Sequence, residues 1–374
     1  MTRPNCCTGK IRCTVFSMTT DKGIPIKNIY YMLTYAFQVL KQSNYSRIAA
    51  EEFQNTEDLF AAILSIGLAH QRKQGLYREY STQHETLPVM RGKLDIQRTI
   101  RTRLQGKQLL SCEFDELSED NLCNQILKST AVILMRTESV SPQRRAALRK
   151  VLRHFDNITV IDPSLISWTQ LRLRRFNQTC QMLLNICWFV LDGLLQTTEP
   201  GRYCMAKFSD QHMARLYERF ILEYYRRHHT YLQADALQVR WALDEQTDRD
   251  SLRFLPIMQT DIALRRGEKT LIIEAKYYSN PLQSQYGNHT LHSGNLYQIF
   301  TYVKNMDPGG TGNVCGMLLY AKTGSTISPD WNYSMNGSRI SAKTLDLNAD
   351  FPAITHQLDQ IAESVFGGFP CTKS

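Results

Sequence analysis

The chain has 374 residues, enough for two or three domains with separate cores. Apolar residues make up 43% and charged residues 21%, which excludes a disordered polyelectrolyte. Lys and Arg exceed Asp and Glu by 44 to 35, and the net charge of +9 favours an anionic partner, nucleic acid first.

Residues 1–17 carry no continuous apolar run of the signal-peptide kind, and Met18 precedes a better-formed beginning. Residues 1–23 are therefore expected to be a disordered extension, with 1–17 either part of it or an over-called start. From 27 to 42, Ile29, Met32, Leu33, Ala36, Phe37 and Leu40 recur at helical spacing. A second helix is predicted over 58–74, closed by Gly75. The pattern then changes. Residues 76–86, 93–102 and 109–115 are short alternating segments separated by Pro88, Gly92 and Gly106, and predict a small antiparallel β unit.

Helices return over 121–136 and 143–155, the second opened by Ser141-Pro142, and Asp162-Pro163 marks a break. Two long helices follow, over 175–196 and 210–229. The longest apolar stretch, 182–195, is interrupted by Asn185 and Asp192 and is too short to span a bilayer. Strands are predicted at 238–243, 256–264 and 270–276, then a polar irregular loop over 279–292, a helix over 293–305, strands at 314–321 and 338–345, and a closing helix over 352–366. No internal repeat or low-complexity tract is present. The ten cysteines are scattered without a C-x-x-C pair, which predicts reduced, buried thiols in a cytoplasmic protein.

The chemistry concentrates where the most strand-like run, from Thr270, ends in Glu274-Ala275-Lys276. Alternation along a strand sends Glu274 and Lys276 to one face and Ala275 to the other. Asp261 lies in the preceding strand-like stretch, and Arg265-Arg266-Gly267-Glu268 reads as the hairpin turn between them. Pairing then brings Asp261 beside Glu274. Two carboxylates and an ammonium at one strand end suit a hard divalent cation, Mg²⁺, and hydrolysis of a phosphodiester. Such a trio alone also reads as a surface ion pair; an apolar strand, an acid-x-Lys end and an acid on the neighbouring strand must coincide to favour the metal reading.

Gln298 and Tyr302, four apart on the following helix, share a face and are candidates for DNA contact or support of this site. Glu218, on the helix 210–229, is a candidate to supply a further metal ligand or hold a metal-bound water, with Glu223 on the same helix as the competitor and a plain salt bridge as the other reading of either. Arg172, Arg174 and Arg175 are candidates to line a DNA path through phosphate contacts. His228-His229 and His289-x-x-His292 lack a metal-site context and read as structural. Trp168, Trp188 and Trp241 read as core.

Asp261, Glu274 and Lys276 resemble the PD-(D/E)xK nuclease pattern, with Thr260 where the name expects proline, a replacement the superfamily commonly tolerates. A fuller resemblance spans nearly the whole chain. The stretch 24–37 (IPIKNIYYMLTYAF), 88–95 (PVMRGKLD), 114–121 (FDELSEDN), 124–130 (NQILKST), Thr260-Asp261-Ile262, 273–278 (IEAKYY) and 295–298 (NLYQ) are similar, in order, to the McrC family, the nuclease subunit of McrBC-type 5-methylcytosine-dependent restriction systems.

The order of elements places a boundary between about 155 and 205, giving an α+β N-terminal domain over 24–160 with the small antiparallel β unit, a helical connector over 161–205 and an α/β C-terminal domain over 206–374; the resemblance makes the last a PD-(D/E)xK nuclease domain with a mixed sheet flanked by helices. It implies docking on a hexameric AAA+ GTPase, McrB, stimulation of its GTP hydrolysis, and Mg²⁺-dependent cleavage of methylated double-stranded DNA. Asp261, Glu274 and Lys276 match the family's catalytic triplet, and Glu218 matches more loosely. Arg91 and Lys93 of the β unit are candidate partner contacts. No G-x-x-x-x-G-K-[ST] occurs, since Gly309-Gly310-Thr311-Gly312 lacks the lysine, so GTP is expected to be used by the partner. No base-flipping pocket is evident. The alternative is a non-catalytic assembly factor that activates the same motor.

Overall fold

The computed structural model describes residues 20–21, 24–37, 40, 45, 48, 50–53, 55–168, 171, 176–195, 210–245, 249–278, 282–285, 288–322 and 328–367. The segment 1–17 lies outside them. Thr20–Asp21 (β1) pairs with Ile24–Pro25 (β2), so regular structure begins before residue 24. Helix α1 (Ile26–Ala36) is buried almost all round. Helix α2 (Thr56–Gln74) starts where the Asn55 side chain accepts the Asp58 N–H at 2.8 Å and ends at Gly75, whose φ of 95° suits glycine.

The β unit comprises β3 (Glu79–Leu87), β4 (Lys93–Leu94) and β5 (Leu110–Ser118), antiparallel in the order β3-β5-β4. The strand expected over 93–102 stops after two residues. Asp95 then caps a helix, α3 (Ile96–Leu104), by accepting the Arg98 N–H at 3.0 Å. Ile96, Ile100 and Leu104 recur every fourth residue, a helical period that reading the segment as alternating overlooked.

Helices α4 (Leu122–Arg136), α5 (Pro142–Leu152), α6 (Gln178–Leu195) and α7 (Asp210–His228) follow as expected within a few residues. Then come β6 (Gln233–Asp235), β7 (Gln238–Val239), β8 (Met258–Gln259), β9 (Ile262–Arg266) and β10 (Lys269–Lys276). The predicted irregular loop at 279–292 instead contains two paired strands, β11 (Leu282–Gln285) and β12 (Asn288–Leu291). Helix α8 (Ser293–Met306), β13 (Val314–Lys322), β14 (Trp331–Met335), β15 (Ser338–Asp346) and α9 (Phe351–Phe366) complete the described chain.

One six-stranded mixed sheet, in the order β14-β15-β13-β10-β9-β6, organises the C-terminal part. Its middle strands β10, β13 and β15 run parallel, while β9 folds back antiparallel on β10. Parallel central strands are covered on both faces, which is why β10 and β13 read as nearly unbroken apolar runs. Leu271, Ile273 and Ala275 enter the larger core, and Ile272 joins a smaller one with Ile299, Val303 and Leu318 beneath α8.

Apolar packing crosses the boundaries expected at 160 and 205: the larger core runs from Ile24 to Phe366. Within it the Asn28 amide donates to the carbonyls of Leu347 and Ala349 at 2.8 and 2.9 Å, and Tyr31 packs on Phe351. Cys112, Cys123, Cys180, Cys187 and Cys315 are buried free thiols. Among the described residues no helix is long and apolar enough to cross a membrane.

Gly316 lets α8 approach the sheet closely. A Cβ there would lie 2.7 Å from Ile299 Cγ1 and 2.9 Å from Val303 Cγ2. Gly316→Val is therefore expected to cost about 1–3 kcal/mol by overpacking and to push α8 outward. A denaturation midpoint equal to wild type would contradict this contact.

Candidate active site

The hairpin register places the acidic residues. Ile273 of β10 pairs with Ile262 of β9, so Asp261 and Glu274 follow at the same end of the two strands. The Ala275 N–H donates to Asp261 Oδ2 at 2.9 Å, fixing the carboxylate against the edge of β10. Thr260 anchors the approach: its N–H donates to the Leu237 carbonyl at 2.9 Å, and its hydroxyl accepts the Leu237 N–H at 2.9 Å. Proline at 260 would lose both, which gives a physical reason for threonine here.

Glu274 is fully buried, on the face opposite Ala275. Lys276 Nζ donates to Glu274 Oε2 and to Gln298 Oε1, each at 3.2 Å. Gln298 Nε2 donates to Glu274 Oε1 at 3.2 Å and to the Tyr302 hydroxyl at 3.0 Å, and that hydroxyl donates to the Gln259 carbonyl at 3.1 Å. The expected helical pair on α8 thus clamps the acid and the lysine from above. Asp261, Glu274, Lys276, Gln298 and Tyr302 form one connected cluster.

The electrostatics are unbalanced. Burial, then the adjoining Asp261 carboxyl, pushes Glu274 well above the usual carboxylate range, and Lys276 offsets only part of this. Burial pulls Lys276 down, but the charges of Glu274 and Asp261 outweigh it and keep the ammonium protonated. Burial and Asp261 together raise Glu218 on α7 to about 7. A cluster with this much repulsion between carboxylates, and oxygen donors only, fits a hard divalent cation. Its ready-made donors are few. No group of three or more His, Cys, Asp or Glu side chains is arranged to hold a metal among the described residues, so Glu218 lies near the pair without completing a preformed ligand set. Mg²⁺ commonly takes one or two carboxylates and completes its shell with water and phosphate oxygens.

A stability prediction follows for the protein in chelator. A folded-state pKa raised above the unfolded one contributes stability at pH values below the ordinary glutamate range and loses it as pH rises through the raised value. The melting temperature should accordingly fall between pH 5 and pH 9. Glu274→Gln should blunt that fall and gain about 2 kcal/mol over wild type at the alkaline end. Parallel melting curves for the two proteins would contradict the burial argument.

Other expected residues fare differently. Arg172, Arg174 and Arg175 lie outside the described residues. Arg91 is exposed but engaged, paired with Glu116 at 3.3 Å and stacked over Phe114 at 3.9 Å, while Lys93 is exposed on β4. His229 is structural, bonded to Asp359 and Tyr231 at 2.8 and 3.0 Å. In the Gly309–Gly312 turn the amides of Thr311 and Gly312 already donate to Asp307, at 2.8 and 2.9 Å, so they are not arranged as a phosphate cradle. Trp168 and Trp188, expected in the core, are half-buried and packed against it. The sequence reading also missed a surface. Ile96, Ile100 and Leu104 on α3 are 64%, 53% and 83% exposed, with Val89 and Met90 nearby in sequence at 72% and 59%.

The family model for the McrBC 5-methylcytosine restriction system component matches residues 9–321. The chain belongs to this family. A curated relative from Escherichia coli strain K12, described as the type IV methyl-directed restriction enzyme EcoKMcrBC, is 29% identical over 337 residues, covering 90% of this chain and 96% of the relative. Among solved structures, a half-complex of Thermococcus gammatolerans McrB AAA+ hexamers with bound McrC aligns at 20% identity and a TM-score of 0.48, covering 90% of this chain and 76% of that one. A second structure, the T. gammatolerans McrBC complex, aligns at 23% identity and a TM-score of 0.39, covering 57% and 60%. Within the McrBC family match fall all five residues of the cluster, 261 to 302.

Proposed function

We propose that this chain is the endonuclease subunit of a GTP-dependent, modification-dependent restriction complex, with its C-terminal part a PD-(D/E)xK nuclease. The observation that carries the reading is the wholly buried Glu274, held between Lys276 and Gln298 beside Asp261. Burying an acid against another acid is costly unless a cation joins them, so the arrangement suits binding chemistry better than scaffolding. That cost argues against a pure assembly factor.

Asp261 and Glu274 are the residues that would hold Mg²⁺, which when bound would supply positive charge to the scissile phosphate and make a nearby water more acidic. Asp261 is kept in position by the Ala275 amide, and Glu274 by Gln298. Lys276, a compact cation with two anchors, orients the water and offsets charge growing on the phosphate. Glu218, raised to about 7, exchanges a proton in the working pH range. Water adds to phosphorus as the P–O bond to the leaving strand breaks, and the proton balance passes through these side chains and solvent.

The partner in this reading is an McrB-like AAA+ GTPase hexamer, the substrate methylated double-stranded DNA, and the compartment the cytoplasm. Family membership supports the system, and the exposed apolar stripe of α3 supports a docking role for the β unit, because such a stripe is unusual on a free surface. Binding of Mn²⁺, a paramagnetic stand-in for Mg²⁺, tests the site directly. Water-proton relaxation should report a bound ion in wild type and none in Asp261→Ala. Equal binding by both would remove the proposed site.

A further inference from the structure

A cleft of about 340 Å³ opens between α1, α6 and α7, within the ~300–1,000 Å³ range of small-ligand sites. Its floor is apolar, formed by Phe37, Leu184 and Leu216. Half-buried Trp168, Phe176 and Trp188 stand around it, and two exposed arginines rise from α7 at its edge. Arg215 stacks over Trp188 with its guanidinium 4.8 Å from the ring centre, and Arg219 over Phe37 at 5.2 Å. Neither arginine has a carboxylate within ion-pair distance among the described residues; the nearby Glu223 pairs instead with Arg226 at 2.9 Å. The Gln181 and Asn185 side chains supply amides to the same cleft.

Flat aromatic surfaces, planar guanidinium groups with no carboxylate at ion-pair distance among the described residues, and a few amides match the chemistry of a nucleobase joined to its phosphate. Bases stack on aromatic and guanidinium planes, and the phosphate takes the positive charge. A purely apolar peptide would leave both arginines without a counter-charge. The location agrees. Arg215 and Glu218 are three apart on α7, and Arg215 lies within electrostatic reach of Glu218, which in turn senses Asp261 and Lys276.

We propose that this cleft holds an unpaired nucleobase of the DNA strand, with Arg215 and Arg219 on its flanking phosphates, beside the acidic cluster. The inference deepens the nuclease reading. Held there, a base would fix how far the strand extends from the cutting site.

Photocrosslinking of the full-length chain to a single-stranded oligonucleotide containing 5-iododeoxyuridine, in EDTA so that no cleavage is needed, tests it. Crosslinks mapped by mass spectrometry should fall on Phe37, Trp168, Phe176 or Trp188. The Arg215→Glu/Arg219→Glu variant, altered only at exposed positions and checked for an unchanged melting temperature, should bind the strand at least about tenfold more weakly. Trp188→Ala should lose the crosslink at that residue. Crosslinks confined to other surfaces, or equal affinity in the double arginine variant, would overturn the proposal. So would a cleft that is shielded only when a protein partner is added and never by the oligonucleotide. Cleavage by the assembled complex without cleft crosslinks would reject the cleft alone, whereas cleft crosslinks without any cleavage would reject the nuclease reading.

Discussion

Asp261→Ala is expected to reduce DNA cleavage by the assembled complex by about 10³-fold or more, with stimulation of the partner's GTP hydrolysis unchanged. The carboxylate does two jobs here. It is one of the two acids available to a cation, and it accepts the Ala275 N–H at 2.9 Å. The hydrogen bond is replaceable by water, since Asp261 is only half-buried, so the fold should survive the change. The charge is not replaceable. Lys276→Ala should act as severely, because it also leaves the buried Glu274 without its cation. Lys276→Arg should rescue little, as a planar fork cannot occupy the place of a point charge held at 3.2 Å by both Glu274 and Gln298. Single-turnover cleavage rates measured beside GTPase rates check all three. Near-wild-type cutting by Asp261→Ala would remove the site.

The second large effect is expected at the other end of the chain. Ile100→Asp combined with Leu104→Glu should abolish stimulation of the GTPase partner while leaving Mn²⁺ binding at the acidic cluster intact. Both side chains are more than half exposed, so the free protein loses little by the change. A docked partner, by contrast, would have to bury two new charges, at a cost of several kcal/mol. Arg91→Ala should have a smaller effect, because its guanidinium is committed to Glu116 and Phe114 within the chain. GTPase stimulation unchanged in the Ile100/Leu104 double variant would show that the partner docks elsewhere.

The candidate site was legible in the sequence because it is local. Alternation put Glu274 and Lys276 on one face, the Arg265–Glu268 turn brought Asp261 back, and a four-residue spacing set Gln298 and Tyr302 together. Each inference used neighbours within a few residues or one hairpin. What failed was longer-range or shorter than a period. The segment 93–102 alternates over its first residues, yet the Asp95 cap and the Ile96, Ile100 and Leu104 spacing make most of it a helix. β6 and β14, with three and five residues, carry too little pattern to stand out, and they gain their pairing only from neighbours in the sheet. The aromatic cleft depends on α1, α6 and α7 converging, which no sequence period encodes, so Trp168 and Trp188 gave no sign of lining one. Nor does any local pattern show that Asn28 ties α1 to carbonyls more than three hundred residues away.

The most direct test of the central claim combines this chain with its AAA+ GTPase partner, GTP, Mg²⁺ and plasmid DNA, methylated or not, and compares wild type with Asp261→Ala. Cutting is expected from wild type alone, on methylated DNA and only with GTP, while both proteins stimulate the GTPase equally. Equal GTPase stimulation with no cutting by either protein would contradict that claim and make the chain an activator of the motor.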